Sequence, residues 1–399
     1  MKQLSLYNKI AFLILCLGLF SNWYFFLPVL TITRVATLAL LVGMFFVKRP
    51  KLDNIFYVVA AFFFMYVTYT LLISLWHSQY LTYSNAGNHV FILLLIIPTL
   101  WLFCAYSKET MRIFYYACCV FLVVSAILAV VEIITGWHLP MSNMFLLENK
   151  YIIPEDTRNS PTGFFYNTND FAIIVTMALC YILSYRKLIS AETKIWKDIL
   201  FVILGLLTIC LTHCRTALFI IVFFVLFMQR NIFLKYKRIL LILLAVLVIA
   251  AIVAFFAIQT ESTWVRANLY LYSFLSLFDS YCLGYGLEGD MYYYANMDNY
   301  NLFGHIINIH SYLLHFLLTS GVVFFMGYIV LLVYIMRKIA ENHGRNEFWC
   351  MIPLYVLLLF APSSSNFLWP HYVFFCSYIG YVCLPMANQG SFQTEIVCS

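Results

Sequence analysis

The sequence predicts an all-α integral membrane protein that crosses the bilayer about twelve times. Of its 399 residues, 64% are hydrophobic and only 10% are charged, whereas a soluble domain carries about 25% charged residues. The apolar residues form blocks long enough to span hydrocarbon, which takes roughly 17 to 25 helical residues. Strands of a membrane barrel would alternate in polarity, and the sequence has no such alternation. Helices are the expected spanning element because they satisfy their backbone hydrogen bonds within each segment.

Charge placement decides how the apolar blocks divide into spans. The runs Ile10–Val47 and Ile199–Met228 could each be one helix or a hairpin of two. If both are hairpins, all but five of the 23 Lys and Arg residues fall on the inner side, as the positive-inside rule requires. The chain is then a single membrane domain over 1–399 with both termini in the cytoplasm. The predicted spans are 10–30, 31–47, 54–76, 88–106, 111–135, 170–185, 197–213, 216–229, 239–258, 311–336, 348–362 and 369–387.

Composition argues against several other classes of protein. The net charge of +6 comes from dispersed basic residues and does not indicate nucleic-acid binding. The 12 cysteines show no metal-binding spacing, and most are expected to be small buried hydrophobic residues. Lys2 and Lys9 precede an apolar run without a small-residue cleavage site, which predicts a signal anchor that becomes the first helix. Cys214 and Cys282 both fall on the outer side, and the sequence leaves their pairing open.

Two predicted outer loops are longer than connectivity requires. The first covers 135–168 and precedes the sixth helix, and the second covers 259–310. Loops beyond about 15 residues are usually functional or disordered. Both are rich in aromatic residues and poor in Ser and Lys. We therefore expect them to be ordered and partly immersed in the interface, with the second loop carrying the candidate active site.

Five basic residues remain on or near the outer side, where Lys and Arg are normally avoided: Arg34, Lys150, Arg158, Arg215 and Arg266. Arg215 occupies a tight outer turn, where a cation is costly unless it is paired, hydrated or bound to an anion. It could instead extend its charged group into the interface without any further role. Arg266 begins the second loop and could form an ordinary ion pair with a nearby acid such as Glu261.

Polar residues next to these arginines are further candidates. His310 lies where the second loop enters the next helix, and its imidazole could accept a proton from a hydroxyl nucleophile. Interfacial histidines without a chemical role are also frequent. Asn167, Asn169 and Asp170 are potential N-caps of the sixth helix, and a helix N-terminus near Arg158 also suits an anion.

Together these features suit an anionic, lipid-linked substrate such as a polyprenyl diphosphate sugar. The lipid would enter from the bilayer while the diphosphate meets the arginines, whose planar fork binds phosphate well. Stabilising a departing diphosphate is work that metal-dependent enzymes assign to a cation. No Asp-x-Asp motif or His/Cys cluster indicates a metal site, so arginine is the predicted substitute and no cofactor is expected.

The chain resembles the O-antigen ligase and Wzy-type polysaccharide polymerase superfamily over most of its length. Four local motifs carry the resemblance, in the family's order and on the predicted outer face. They are G-W-H-L-P-M-S with P-T-G-F-F-Y-N-T-N-D-F-A; H-C-R-T-A; R-A-N-L-Y-L-Y-S-F with G-Y-G-L-E-G-D; and H-S-Y-L-L-H-F-L-L-T-S-G-V-V.

The resemblance implies metal-independent glycosyl transfer from an undecaprenyl diphosphate-linked glycan at the outer face of the bacterial cytoplasmic membrane. By motif, His310 corresponds to the base that activates the acceptor hydroxyl. Arg215 and Arg266 correspond to the diphosphate-binding pair, assisted by Arg158. Supporting positions are Asn167, Asn169, Asp170 and Ser311. The implied partners are the glycan donor and acceptor, the bilayer, and flippase and chain-length regulator proteins, without nucleic acid.

Some residues depart from the family pattern. The family often has Asn after the histidine and Ser-Arg-Gly around the arginine, whereas Ser311 follows His310 and Cys214 and Thr216 flank Arg215. The short length of the chain and its G-F-F-Y-N-T-N-D-F motif look more like a capsule, teichuronic-acid or exopolysaccharide polymerase than a lipid A core ligase. An O-antigen ligase that transfers glycan to a lipid A core is an alternative with the same donor. A lipid-linked oligosaccharide flippase or transporter is an alternative of another class, and Glu132 is its clearest intramembrane ionisable residue.

Overall fold

The computed structural model describes most of the predicted spans and parts of both long loops. It covers residues 2–20, 24–27, 30–31, 38–39, 41–44, 52–76, 83–139, 160–165, 168–188, 195–228, 270–271, 273–288, 311–343 and 369–384. The predicted spans over 239–258 and 348–362 lie outside these residues, as do Arg34 and Lys150.

The described part of the chain is built almost wholly from α-helices. They are α1 (Lys2–Leu19), α2 (Asn54–Trp76), α3 (Tyr83–Ala105), α4 (Ser107–Thr135), α5 (Thr168–Leu188), α6 (Ile195–Leu211), α7 (Arg215–Met228), α8 (Tyr312–His343) and α9 (Trp369–Val382). Helices α2, α4, α5 and α8 are long and apolar enough to cross a membrane. The prediction of an all-α membrane protein is confirmed at this level, while the number of spans and the side of the termini stay predictions.

The predicted first span is wrong in its second half. Helix α1 begins at Lys2 and ends at Leu19, and it is followed by an antiparallel pair of short strands, β1 (Tyr24–Leu27) and β2 (Leu30–Thr31). Pro28 has no backbone N–H and disfavours a helical conformation in the residue before it, so a helix cannot continue unbroken to residue 30. Aromatic and β-branched residues around this proline favour extended backbone.

One end of the helix bundle is basic. The start of α4 contacts the segment after α9 through Ser107 Oγ, which donates to the Cys383 carbonyl at 3.4 Å. The end of α5 joins the start of α6 through a hydrogen-bonded ion pair between Arg186 and Asp198. We call this end the basic face; its basic residues are Lys108, Arg112, Arg186, Lys187, Lys197, Arg337 and Lys338.

The opposite end of the bundle, which we call the loop face, carries the segments that lead into both long loops. The helix ends that meet there are Trp76, Thr135, Thr168, Leu211, Arg215 and Tyr312. The end of α1 points the same way, because the Phe20 and Phe164 rings lie 4.6 Å apart. Of the Lys and Arg residues that the structure describes, only Arg215 lies at this face. The asymmetry is the one that the positive-inside rule predicts for a cytoplasmic basic face.

Helix α5 is the centre of the bundle. In its most apolar stretch 89% of the residues are buried, compared with 39% in α2. It packs against α4, α6, α7 and α9. Large apolar side chains such as Phe64, Leu72 and Ile127 stay exposed on the outer helices, as expected for surfaces in contact with lipid.

Helix α8 is broken at Gly321, and a segment of the second loop fills the break. Gly321 has φ 70° and ψ 178° within the helix. The Val322 N–H donates to the Cys282 carbonyl at 3.0 Å, and the Tyr285 N–H donates to the Leu318 carbonyl at 2.8 Å. Gly321 lies nine residues after Tyr312, about 13 Å along a helix. The loop therefore enters the bundle and supplies the backbone partners that the break removes.

Gly321→Ala is expected to destabilise the protein. A Cβ there would lie 2.4 Å from the Leu283 carbonyl oxygen, and the backbone conformation is one that only glycine adopts easily. The expected loss of unfolding free energy is about 2 kcal/mol or more, measured as a lower thermal midpoint in detergent. Gly87→Ala is the matched control, because Gly87 lies in α3 with no atom within 4 Å of the added Cβ. An unchanged midpoint for Gly321→Ala would contradict the described break.

The loop face is predicted to be extracytoplasmic. Trp137 is 52% exposed just after the end of α4 at the loop face, and Trp196 is 58% exposed at the basic face. A membrane-impermeant maleimide should modify the Trp137→Cys variant in intact cells, and the Trp196→Cys variant only after permeabilisation. Peptide mass spectrometry separates these sites from the native cysteines. The reverse labelling pattern would invert the proposed topology.

Candidate functional site

Arg215 is the first residue of α7 and is exposed at the loop face. A tight turn places it there: His213 has φ 53°, and the Cys214 carbonyl accepts the Leu218 N–H at 3.1 Å. No carboxylate in the described part of the chain forms an ion pair with Arg215. A cation in the first turn opposes the helix dipole, so this position does not stabilise α7. The exposed Arg215 guanidinium is, however, well placed to bind an anion at the loop face.

Glu132 lies in the last turn of α4 and is fully buried. Its Oε2 accepts the backbone N–H groups of Thr162, at 2.7 Å, and Gly163, at 3.1 Å. The carboxylate thereby joins the end of α4 to a turn 30 residues later. This contact brings together the G-W-H and P-T-G motifs, which the sequence leaves 24 residues apart between His138 and Thr162.

His138 completes this cluster, which we call the Glu132 clasp and define as Glu132, His138, Thr162 and Gly163. The His138 Nδ1 lies 3.3 Å from Glu132 Oε2 and 3.3 Å from Thr162 Oγ1. The imidazole side chain is 11% exposed while that of Glu132 is 0% exposed, so the histidine reaches the surface and the carboxylate does not.

The second oxygen of Glu132 is unsatisfied. Oε1 is buried and has no hydrogen-bond partner among the described residues. Buried polar atoms are nearly always paired, and an exception requires an explanation. The negative charge also sits at the carboxyl end of a helix, where the dipole is unfavourable to it. Glu132 and Arg215 are therefore both placed against their helix dipoles at the same face.

The G-Y-G segment at Gly284–Gly286 is held against the last two turns of α2 and the broken turn of α8. The Leu287 N–H donates to Ser74 Oγ at 2.7 Å, and the Tyr69 hydroxyl donates to the Leu283 carbonyl at 2.7 Å. A Cβ on Gly286 would lie 2.2 Å from Ser74 Oγ, so only glycine permits this approach. The second loop is thus anchored to the bundle at residues that belong to a predicted motif.

Polar side chains are buried below this anchor. His89 Nε2 and Thr70 Oγ1 are hydrogen-bonded at 2.6 Å, and the His89 ring lies 5.3 Å from that of Tyr66. Tyr66 stacks on Phe316 at 4.7 Å. His315 lies close enough to interact electrostatically with His89. Sequence reasoning missed His89 and the Glu132 contacts, although a lone acid and a lone histidine near the ends of apolar helices were visible signals.

The structure describes only some of the predicted site residues. Arg215, Asn169, Asp170 and Ser311 all lie at or next to helix starts on the loop face. Asp170 is in the first turn of α5, where a carboxylate is stabilised by the dipole. Ser311 is buried and its Oγ accepts the Leu314 N–H at 3.4 Å, in the manner of an N-cap. His310, Arg266, Arg158 and Asn167 lie outside the described residues.

Cysteines and metal ligands add little to the site. Cys214 and Cys282 are both free thiols. Among the residues that the structure describes, no three His, Cys, Asp or Glu side chains are grouped so that they could hold a metal ion. The groups at the described loop face include the exposed Arg215, the Glu132–His138 pair, Asp170 and the anchored loop segments.

Comparison of the chain with protein-family models, curated proteins and solved structures gives no match. The family resemblance consequently stays a hypothesis that rests on the four motifs. Both segments of the first motif supply clasp residues, His138 from one and Thr162 and Gly163 from the other, and the third and fourth motifs meet at the break in α8.

The clasp predicts a pattern of amide hydrogen exchange. Glu132→Ala removes the acceptor for the Thr162 and Gly163 N–H groups, so both amides should exchange faster. Glu132→Gln should protect them almost as well as the native residue, because the amide oxygen accepts the same two bonds. Glu109→Ala is the control, since Glu109 is exposed in the first turn of the same helix. Unchanged exchange in Glu132→Ala would disprove the clasp.

Proposed function

We propose that the chain is a metal-independent membrane glycosyltransferase that polymerises undecaprenyl diphosphate-linked oligosaccharide repeat units. It would act in the bacterial cytoplasmic membrane, with its site facing the periplasm or cell exterior, during synthesis of a surface polysaccharide such as a capsule, teichuronic acid or exopolysaccharide. The proposal combines the motif resemblance with the arrangement of charges at the loop face.

The observation that carries the proposal is the position of Arg215. It is the sole described cation at the loop face, it is exposed, and it opposes the dipole of the helix that it begins. A guanidinium there provides two parallel N–H donors to a phosphate oxygen pair. The adjoining N-terminus of α7 adds backbone N–H groups that also favour an anion. A diphosphate attached to a membrane lipid matches both the charge and the depth of this position.

In the proposed reaction, the acceptor sugar hydroxyl attacks the anomeric carbon of the donor glycan. His310 takes the hydroxyl proton, a new glycosidic C–O bond forms, and the bond from the anomeric carbon to the diphosphate oxygen breaks. The undecaprenyl diphosphate leaves with the bonding electron pair. Arg215, Arg266 and Arg158 stabilise the negative charge that develops on it, which is the role of preorganised cations in such transfers.

Two described features support an enzyme over a transporter. Transporters usually place coupling residues near the bilayer midplane, whereas Glu132 lies in the last turn of α4 and binds a loop. The G-Y-G segment is fixed to α2 and α8 by hydrogen bonds, which gives the second loop a rigid base. Loops that are positioned by a rigid scaffold commonly carry catalytic residues.

The proposal is tested with purified protein in nanodiscs, supplied with the lipid diphosphate-linked repeat unit of its own gene cluster in the presence of EDTA. Wild type should produce a ladder of lengthened glycan. Arg215→Ala should slow donor consumption by about 100-fold or more, because a stabiliser of the leaving group is lost. Arg112→Ala is the matched control, since Arg112 is an exposed arginine in the early part of α4 at the basic face. His310→Ala is compared with His305→Ala and His315→Ala.

Each alternative function has a distinct outcome in this experiment. Transfer that occurs only after addition of a lipid A core would identify a ligase. Donor that crosses the bilayer of liposomes without being consumed would replace the enzyme proposal with a flippase. Equal loss of activity in Arg112→Ala and Arg215→Ala would refute the assignment of Arg215 to the diphosphate.

A further inference from the structure

A charged side chain is not needed at position 132 to hold the loop residues Thr162 and Gly163 against the end of α4. A neutral glutamine could accept the same two backbone N–H groups without burying a charge. Burying an ionisable carboxylate near hydrocarbon is costly, and such residues commonly mark functional sites. The charge here is also opposed by the dipole of α4. The carboxylate therefore has a cost that its contacts with Thr162 and Gly163 do not explain.

The hydrogen bonds of the Glu132 carboxylate indicate which kind of group would bind its unpartnered oxygen. Oε2 faces three donors, the Thr162 N–H, the Gly163 N–H and His138 Nδ1. Oε1 is buried and unpartnered within the described chain. An ionised carboxylate is an acceptor only, so the absent partner is a hydrogen-bond donor. Oε2 is already fixed by backbone groups, which holds Oε1 in one orientation and lowers the entropic cost of binding that donor.

The surroundings narrow the chemical class of the donor. In the part of the chain that the structure describes, Glu132 does not belong to any group of three or more His, Cys, Asp or Glu side chains that could hold a metal ion. The His138 ring adds a polar group that reaches the surface beside the carboxylate. A neutral hydroxyl-bearing ligand fits this combination, because it supplies a donor without adding charge to a buried position. Glycans are dense in such hydroxyl groups.

We propose that the Glu132 clasp is a glycan-binding subsite, in which Glu132 Oε1 accepts a hydrogen bond from a sugar hydroxyl and His138 lines the opening. This inference rests on the proposed function and assigns the subsite to the sugar part of its substrate, apart from the diphosphate at Arg215. The imidazole, whose side chain is 11% exposed beside the fully buried carboxylate, is where the sugar hydroxyl would approach from the surface. Glu132 then acts in substrate binding rather than in bond cleavage.

The test measures binding of the free oligosaccharide repeat unit, released from its lipid and labelled at the reducing end, by equilibrium dialysis against the full chain in nanodiscs. Glu132→Gln should weaken binding by about tenfold or more, since hydrogen bonds to charged groups are worth roughly twice those to neutral ones. It should leave exchange of the Thr162 and Gly163 amides protected. Glu109→Gln carries the same substitution at the other end of α4 and should bind like wild type.

His138→Asn is the second variant in case Glu132→Gln does not fold. Its side-chain N–H can replace that of Nδ1 while the rest of the ring is removed, and binding should fall severalfold. Native affinity in either folded variant, or no detectable binding by wild type, would overturn the subsite. Donor consumption is measured in parallel with the lipid-linked substrate. If wild type consumes the donor but does not bind the free glycan, only this inference is rejected. If wild type neither consumes the donor nor binds the glycan, the proposed function is rejected as well.

Discussion

The described fold depends on one constraint, which is that backbone polar groups at membrane depth must find partners inside the protein. Most of them are satisfied within helices, but the break at Gly321 frees groups on both sides of it. Cys282 and Tyr285 from the second loop bind those groups directly. Glycine at 284 and 321 is required because their backbones nearly touch, with an added Cβ on Gly284 only 2.6 Å from the Gly321 nitrogen. A loop is thereby held in place by the same bonds that make the helix break tolerable.

The charges at the loop face follow a different logic from those at the basic face. The buried Arg186 and the partly exposed Asp198 form an ion pair that connects two helices, so this charged pair stabilises the structure of the basic face itself. Arg215 and Glu132 instead oppose their helix dipoles, and the described residues leave the arginine exposed and one carboxylate oxygen unpaired. A charge in an unfavourable position can be stabilised by a bound ligand, whereas the paired charges of the basic face already stabilise each other. For this reason we assign the function to the loop face.

Composition and charge were enough to predict the class of protein and the asymmetry of its basic residues, because both follow from transfer to lipid rather than from packing. The end of α4 is also visible in the sequence, since Gly136 follows it with φ 63°. The strand pair near Pro28 was missed because a long apolar run hides a local backbone preference. The partners of Glu132 and Gly321 could not be predicted, since both are tertiary contacts between segments that are 30 or more residues apart. His310 and Arg266 remain predictions from the sequence alone.

The opposite exposure of Arg215 and Glu132 suits a substrate with an anionic and a neutral part. An exposed carboxylate would repel a diphosphate, whereas Glu132 is buried and its charge is partly balanced by two N–H groups and His138. Arg215 is exposed, so it can meet a large hydrated anion without first losing a protein partner that the structure describes. If the carboxylate were moved to the surface, it would weaken the arginine's attraction for phosphate over several ångströms. Burial of the acid behind a histidine would therefore allow the proposed sugar-binding carboxylate and the proposed phosphate-binding arginine to share one face.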